Sequence, residues 1–241
     1  MSILTVKGLC KHYPSFQLED VSFQLREGKI TGFIGRNGAG KSTTLKSMLG
    51  FVHPDAGEVR FFDMDFLPNQ QAIKQNIGYV AGSFGFYPHK KLSAITAVTA
   101  PFYQHWDDKV YRRCMERFRL EESKTPAQLS EGMKVKYALT LALSHHARLL
   151  ILDEPTSGLD PVSRDELLDV FLDLNREGAT ILYSTHITTD LDKCADDILY
   201  IREGRLRFEG ALSAFLDANV LPGGKRDLTD VMIRLEKEAR K

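Results

Sequence analysis

Alternation of apolar and polar residues is the first pattern along the chain. Val21, Phe23 and Leu25 alternate with polar residues, and Val59 and Phe61 do so again further on. Successive side chains of a strand point to opposite faces, so this alternation predicts half-buried strands. Two short apolar runs predict further strands at 29–34 and 77–80. The N-terminal part of the chain is therefore expected to be rich in β-structure.

Helical spacing replaces this alternation from about Pro88. Residues 107–120 are charged and amphipathic, and the apolar residues within 131–144 recur at helical intervals. Apolar positions three and four residues apart lie on one side of a helix. The pattern predicts a helical subdomain at about 83–146, inserted between two strand-forming regions.

A continuous apolar run returns at 149–152, where the sequence is Leu-Leu-Ile-Leu. Parallel sheets covered on both faces contain strands of this kind, because neither face of the strand meets water. The run therefore predicts a strand inside a parallel sheet. The elements predicted after it are a helix at about 163–176, a strand at 179–184, and a hairpin of 197–202 with 205–208 around Glu203-Gly204.

The tail past Gly210 contains a predicted hinge at 222–224, where the sequence is Pro-Gly-Gly, and then a predicted helix. The apolar residues of this helix that fall on one face are Leu228, Val231, Met232 and Leu235. We expect that face to dock on the rest of the chain. A surface for a partner protein is the alternative.

The strongest chemical motif is the loop 35–42, with the sequence Gly-Arg-Asn-Gly-Ala-Gly-Lys-Ser, between the predicted strand 29–34 and a predicted helix at 42–50. Its glycines permit backbone angles that side chains would block, so that successive N–H groups form a nest for phosphate oxygens. Lys41 is expected to reach the β- and γ-phosphates, and the Ser42 hydroxyl is expected to bind Mg²⁺. The predicted nucleotide-binding residues are Gly35, Asn37, Gly38, Ala39, Gly40, Lys41, Ser42 and Thr43.

Two acids follow the buried run, Asp153 and Glu154. Ligands bind at the carboxyl ends of the strands in open α/β sheets. We expect Asp153 to hold Mg²⁺ through its water shell, and Glu154 to polarise the water that attacks the γ-phosphate. Without a phosphate loop nearby, the pair could equally be surface acids at a strand end. His186 comes at the carboxyl end of the strand predicted at 179–184, and we expect it to donate to a γ-phosphate oxygen.

These motifs, in this order, resemble those of the nucleotide-binding subunit of an ATP-binding cassette (ABC) transporter. The resemblance covers residues 3 to about 210. It implies an α/β fold, a P-loop NTPase (RecA-like) parallel-sheet core with an N-terminal antiparallel β subdomain and an inserted α-helical subdomain. It also implies an ATPase domain over 1–211, a C-terminal helical extension over 212–241, and ATP and Mg²⁺ as cofactors. Lys41, Glu154 and His186 would be the catalytic residues.

The same resemblance assigns two further nucleotide contacts. Residues 157–160 match the D-loop of the family, which brings Asp160 to the nucleotide. Tyr13 stands where the family has an aromatic ring that stacks on adenine. A tyrosine packed at the surface is the alternative for Tyr13.

The element that defines the family is altered in this chain. Residues 129–133 read Leu-Ser-Glu-Gly-Met where the family has Leu-Ser-Gly-Gly-Gln. Ser130 is a good helix N-cap, and Gly132 lets a phosphate approach the backbone. Glu131 can face away from the phosphate and still favour the first helical turn. In the family this element acts across a dimer, so Ser130 and Gly132 are expected to contact the ATP of a partner subunit.

A second departure concerns the residue that follows the predicted strand 77–80. The family has a glutamine or an acid there, whereas this chain has Gly82, and 77–103 contains no Asp, Glu, Asn or Gln. We therefore expect modest ATPase activity. The same segment is rich in aromatic residues, which either form the core of the helical subdomain or line a groove for a helix of a membrane subunit. These residues are Phe84, Phe86, Tyr87, Phe102, Tyr103 and Trp106.

Composition narrows the functional classes. With 241 residues, of which 43% are hydrophobic and 27% charged, the chain is typical of a soluble globular protein. Its net charge of zero gives no argument for nucleic acid as a partner. No apolar run approaches the ~18 residues of a membrane span. Cys10, Cys114 and Cys194 are scattered, which favours reduced thiols in a cytosolic protein.

The resemblance therefore predicts an ATPase subunit that powers a separate transmembrane permease, with export of a peptide, antibiotic or lipid-like substrate by analogy with small bacterial exporters. The expected partners are the permease, on its own chain, and a second copy or a related ATPase subunit; the expected location is the cytoplasmic face of the membrane. A soluble ABC-type ATPase linked to translation or DNA is the alternative. A small-molecule kinase or GTPase is disfavoured by 129–133 and by the absence of an Asn-Lys-x-Asp motif.

Overall fold

The computed structural model describes residues 2–81, 87–220 and 226–238. Gly82, Phe84, Phe86 and the predicted hinge 222–224 lie outside the described residues. The chain divides into two compact units. The first unit comprises Met1–Leu67 and Leu182–Lys241, and the second unit comprises Pro68–Ile181.

The first unit contains an antiparallel sheet with the strand order β2-β1-β4-β5. These strands are β1 (Ser2–Tyr13), β2 (Phe16–Arg26), β4 (Ala56–Phe61) and β5 (Met64–Asp65). Val6 of β1 is aligned with Phe23 on one side and with Val59 on the other. Val21, Phe23, Leu25 and Phe61 are buried and Val59 is half-buried, so this antiparallel region confirms the predicted strands.

A second set of strands in the first unit follows the order β10-β9-β3-β8. These strands are β3 (Ile30–Ile34), β8 (Thr180–Thr185, which crosses the division between the units), β9 (Asp197–Arg202) and β10 (Arg205–Ala211). β3 runs parallel to β9, with residue 32 aligned with residue 198. Every residue of β3 is buried, which explains its mostly apolar sequence. The predicted turn between β9 and β10 forms at Glu203 and Gly204, whose φ angles are 51° and 72°.

The second unit places two parallel strands among helices. β6 (Ile77–Ala81) is parallel to β7 (Leu149–Asp153), and residue 81 is aligned with residue 153. All five residues of β7 are buried. The helices of this unit are α2 (Gln70–Lys74), α3 (Leu92–Thr99), α4 (Asp108–Arg117), α5 (Glu131–Ser144) and α6 (Pro161–Arg176), with short 3-10 turns at Ala100–Phe102 and Pro126–Gln128. The helical region predicted before β7 is thus present.

Capping side chains account for two helix boundaries that apolar spacing alone had placed differently. α4 begins at Asp108 because the Asp107 carboxylate accepts hydrogen bonds from the N–H groups of Lys109 and Val110. α6 begins at Pro161, before the predicted start at 163, because Asp160 caps it in the same way. Aspartate at this position satisfies N–H groups that the helix itself leaves without partners.

The remaining helices belong to the first unit: α1 (Lys41–Met48), α7 (Thr188–Cys194), α8 (Leu212–Asn219) and α9 (Leu228–Glu238). Leu228, Val231 and Met232 of α9 are buried, so the apolar face docks on its own chain as expected. Within residues 2–81, 87–220 and 226–238, none of the helices combines the length and the apolar character that a membrane span requires.

Candidate functional site

The phosphate loop connects β3 to α1, and its glycines are needed for two different reasons. Gly38 and Gly40 have φ angles of 82° and 115°, in the region that side chains disfavour. Gly35 does not lie in that region, so our conformational argument for it was wrong. A Cβ at Gly35 would lie 2.4 Å from the Ile201 carbonyl oxygen, so close packing against β9 requires this glycine.

The Lys41 ammonium group lies inside the loop. Its Nζ donates to the carbonyl oxygen of Gly35 at 2.7 Å and to that of Arg36 at 3.4 Å, and the residue is only 5% exposed. The flexible aliphatic stem lets the charge be redirected towards an anion within the same loop. Lys41 is thus held where the β- and γ-phosphates of a nucleotide would be expected.

The N-terminus of α1 is suited to bind an anion. Gly40 is its N-cap residue and has no side chain with which to cap the helix, and its first turn carries no acidic residue. The positive end of the helix dipole and the first N–H groups then point into the loop. Ser42 and Thr43 are half-buried at this end. The loop therefore fits a polyphosphate, and the Ser42 hydroxyl fits the metal that accompanies it.

A cavity of about 600 Å³ opens beside the loop. It is lined by Gly35, Arg36 and Asn37 of the loop and by His186, which follows β8 and is exposed. The structure therefore brings His186 to the phosphate loop, as expected from its place at the end of a strand. Residues of α9, including Glu236, form another wall of the same cavity, a contact that the sequence analysis did not anticipate.

Tyr13 lies at the end of β1 and is 37% exposed, with the Lys11 ammonium 5.7 Å from its ring centroid. An exposed ring that already attracts a cation is available for stacking. Phe16, on the other side of the same turn, was missed by the sequence analysis. A Cβ added to Gly40 would lie 3.0 Å from Phe16 Cζ, so Phe16 packs directly on the phosphate loop.

Asp153 ends β7 in the second unit and is 8% exposed. Tyr79 of β6 is aligned with Ile151, which lies two residues before Asp153 in β7. Burial, with a contribution from the Asp153 charge, raises the pKa of Tyr79 to about 12. A carboxylate this buried fits the role of a magnesium ligand, because a bound cation would offset the cost of keeping the charge away from water.

Glu154, the next residue, has a φ of 54°. A non-glycine residue in the left-handed region is uncommon, and such backbone strain is concentrated at functional sites. The backbone continues directly into a turn, because the Ser157 N–H donates to the Glu154 carbonyl oxygen at 3.2 Å. Glu154 is half-buried at the strand end. Its assignment as the carboxylate that acts on water stays a prediction.

The altered signature element forms the start of α5. Ser130 is the N-cap residue, and its Oγ accepts a hydrogen bond from the Met133 N–H at 3.2 Å. The Glu131 carboxylate pairs with Lys134 Nζ at 2.6 Å, which fits the expectation that Glu131 serves its own first turn. A Cβ added to Gly132 would meet nothing closer than Leu159 Cδ2 at 3.9 Å. Packing within the chain therefore does not require a glycine at 132.

Asp160 is exposed, and its carboxylate accepts hydrogen bonds from the N–H groups of Val162 and Ser163 at 3.0 and 3.1 Å. Hydrogen bonds from Ser163 hold its pKa below the usual range. In this structure Asp160 thus serves as a helix cap. Its expected contact with nucleotide stays a prediction.

The described aromatic residues of the segment after β6 divide between core and surface. Tyr103 stacks on His145 with 3.8 Å between ring centroids, and Trp106 packs at 5.7 Å from Tyr111. By contrast, Tyr87 is 67% exposed and Phe102 is 73% exposed. The rings of Tyr103 and Trp106 thus pack within the subdomain as one interpretation expected, whereas the groove for a membrane subunit stays a prediction.

Comparison with known proteins agrees with a nucleotide-binding site of this geometry. The profile of the ABC transporter family matches residues 18–157. The bacitracin transport ATP-binding protein BcrA of Bacillus licheniformis is 33% identical over 209 residues, which cover 85% of this chain and 68% of BcrA. The ABC-type transporter ATP-binding protein EcsA of Bacillus subtilis is 31% identical over 246 residues, which cover 99% of this chain and 98% of EcsA.

A solved structure described as the ATP-binding subunit of an ABC transporter superposes on this chain with a TM-score of 0.85. The two are 29% identical, and the match covers 98% of this chain and 100% of the other. The likeness extends over β1 to α9 and therefore includes the C-terminal helices as well as the motifs. It confirms the predicted fold class.

Proposed function

Because this chain belongs to the family of ABC transporter ATP-binding subunits, we propose that it uses loop 35–42 and the two acids that follow Leu152 to hydrolyse ATP and to drive a separate permease. The chain is an ATPase, as the ABC ATP-binding domains are. Family membership favours this function over the alternative linked to translation or DNA. The observation that carries the proposal is the loop geometry around Lys41, with left-handed glycines and an uncapped helix end.

Each residue has a defined task in the proposed site. The N–H groups of the loop and Lys41 bind the β- and γ-phosphates, with Asn37, Gly38, Ala39, Gly40 and Thr43 completing the cradle. Mg²⁺, when bound, neutralises the charge that develops on the phosphates. Ser42 and Asp153 would hold the ion, Glu154 orients and deprotonates the attacking water, and His186 donates to a γ-phosphate oxygen. Tyr13 stacks on the adenine.

The signature element completes the site of a second subunit in this proposal. Gly132 leaves room that its own chain does not fill, and Ser130 caps a helix whose positive end can face phosphate. Two copies, or one copy and a related ATPase, would close around two ATP molecules. Asp160 of the D-loop would also contact the nucleotide.

The proposed membrane partner docks on the second unit. Val98, near the end of α3, and Phe102, in the 3-10 turn that follows, are 63% and 73% exposed. Exposed aromatic residues of this kind are common at the centres of protein interfaces. BcrA is named for bacitracin transport, and by analogy we propose export of a peptide, antibiotic or lipid-like substrate. The subunit would then lie on the cytoplasmic face, with 1–211 as the ATPase domain and 212–241 as an extension.

The test is a Glu154→Gln variant. We expect its ATP turnover to fall by roughly 10²–10⁴-fold, because the amide cannot accept the proton of the attacking water. ATP binding should persist, and size-exclusion chromatography with light scattering should show an ATP-dependent dimer. Glu166→Gln is the matched control, since Glu166 is an exposed acid of the same unit and its pairing with Lys136 lies outside the proposed site.

Two results would contradict the proposal. Wild-type turnover in Glu154→Gln would remove the carboxylate from the chemistry. Unchanged ATP affinity in Lys41→Ala would remove the loop from nucleotide binding. A Glu154→Gln protein that stays monomeric with ATP, alone and with a related subunit, would reject the shared dimer site and leave the other assignments standing.

A further inference from the structure

Helix α9 connects the two nucleotide-facing loops of the first unit. Near its N-terminus, Thr229 Oγ1 hydrogen-bonds to Thr188 Oγ1 at 2.6 Å, two residues after His186. Near its C-terminus, Glu236 Oε2 lies 3.8 Å from Nη1 of Arg36 in the phosphate loop. A single helix therefore contacts both the segment that carries His186 and the loop that carries Lys41.

Glu236 is fixed more firmly than Arg36. Its other carboxylate oxygen accepts a hydrogen bond from the Tyr200 hydroxyl at 2.9 Å, and its side chain is only 18% exposed. The Arg36 side chain is 55% exposed and is held on this side by a long, single contact. Exposed ion pairs of this kind contribute little to stability, so another anion can compete for the guanidinium group.

The residues that line the cavity indicate which anion competes for Arg36. Arg36, Asn37 and His186 line the same space of about 600 Å³ as Glu236. His186 is the residue proposed to contact the γ-phosphate, so Arg36 lies at the terminal-phosphate end of the loop. A γ-phosphate there carries more charge than a carboxylate and offers oxygen acceptors that an arginine binds through two N–H groups at once.

We propose that Glu236 is a positioning residue that holds Arg36 away from the nucleotide, and that ATP binding transfers Arg36 from Glu236 to the γ-phosphate. The C-terminal helix then sets the affinity for ATP relative to ADP, because ADP lacks the group that receives Arg36. Loss of the Arg36 contact also removes the direct link between α9 and the phosphate loop, so that the contacts of the helix depend on the bound nucleotide. This inference rests on the proposed assignment of loop 35–42 to phosphate binding.

The test uses Glu236→Gln in the full chain, with nucleotide dissociation constants measured by calorimetry. Glutamine keeps an oxygen that can accept the Tyr200 hydrogen bond but lacks the charge that retains Arg36. We expect ATP to bind about threefold more tightly and ADP to bind as before, consistent with the small energy of a partly exposed pair. Turnover at saturating ATP should stay within about twofold, since the positioning role acts on binding.

Two further variants make the test specific. In an Arg36→Ala background, Glu236→Gln should no longer change the ATP dissociation constant. Glu238→Gln is the control on the same helix, because Glu238 pairs with Arg234 and does not line the cavity. An equal change for ATP and ADP, or an effect that persists without Arg36, would overturn the proposal. If Lys41→Ala left ATP binding unchanged, the site assignment itself would fail. If Lys41→Ala weakened ATP binding as expected but Glu236→Gln had no effect, only this inference would be rejected.

Discussion

Substitution of Gly132 by alanine separates folding from function at the signature element. Gly132 lies in the first turn of α5, and the added methyl carbon would lie 3.9 Å from Leu159 Cδ2, 4.0 Å from Leu159 Cδ1 and 4.0 Å from Ser163 Cβ. These are ordinary van der Waals distances, so the chain accommodates alanine without moving. In the proposed dimer, a phosphate bound by the partner subunit approaches the backbone at Gly132. The added methyl group would occupy the space that this phosphate needs.

Both effects have expected magnitudes. Replacing glycine by alanine inside a helix raises the free energy of unfolding by about 0.5–1 kcal/mol, which raises Tm by about 2 °C in a chain of this size. A methyl group between the backbone and a phosphate moves the oxygens beyond hydrogen-bonding distance, which is about 3.5 Å. Loss of one such donor lowers turnover by about 100-fold. The variant should therefore be more stable and nearly inactive.

Thermal unfolding and phosphate release at saturating ATP with Mg²⁺ measure the two quantities on one preparation. ATP binding to the monomer should be unchanged, because loop 35–42 is untouched. Glu116→Ala, on an exposed face of α4, is the control for a general effect of added helix propensity. Turnover within twofold of the wild type, together with a raised Tm, would refute a phosphate contact at Gly132. A lowered Tm would refute the packing argument.

Two other predictions concern the second unit. His145 is 3% exposed, and burial lowers its pKa to about 4, so between pH 6.5 and pH 4 the unfolded chain binds a proton that the folded chain excludes. The free energy of unfolding should therefore fall by up to about 3 kcal/mol as the pH drops through this window. In urea titrations, His145→Phe should flatten this dependence on pH. An unchanged dependence would contradict its assignment to the buried His145. Phe102→Glu should weaken co-purification with the permease several-fold without changing ATP binding, whereas Phe51→Glu, at an aromatic residue of the first unit that is 60% exposed, should not. Equal recovery of the permease with both variants would contradict docking at Phe102.

Much of the fold could be predicted because its signals are local. The alternation at Val21, Phe23 and Leu25, the apolar run before Asp153 and the turn at Glu203 each depend on neighbouring residues. Helix starts were less accurate where a capping side chain decides them, as Asp160 does for α6. Apolar periodicity carries no information about such a cap, because the capping residue is polar and lies outside the helix.

Those parts of the candidate site that lie within a single loop or at a single strand end could be predicted from the sequence. The phosphate loop and the two acids at the end of β7 are of this kind, and the family match confirms the ATPase that they predicted. The reason for Gly35 was missed because it depends on Ile201, a residue far away in sequence. The pairing of Arg36 with Glu236 was missed for the same reason, since neither residue stands out within its own segment.

The pairing of β3 with β9 has a consequence for the order in which the protein folds during synthesis. Residue 32 is aligned with residue 198, so the strand that precedes the phosphate loop leaves the ribosome long before its neighbour exists. At 5–20 residues per second, the delay is roughly 10–30 s. The second unit, Pro68–Ile181, is continuous and emerges complete within that interval. The other neighbour of β3, β8, begins only at the end of the second unit, so the nascent chain must carry the unpaired strand Ile30–Ile34, whose residues are all buried in the folded protein, for most of that time. A chaperone that shields this segment would therefore assist folding.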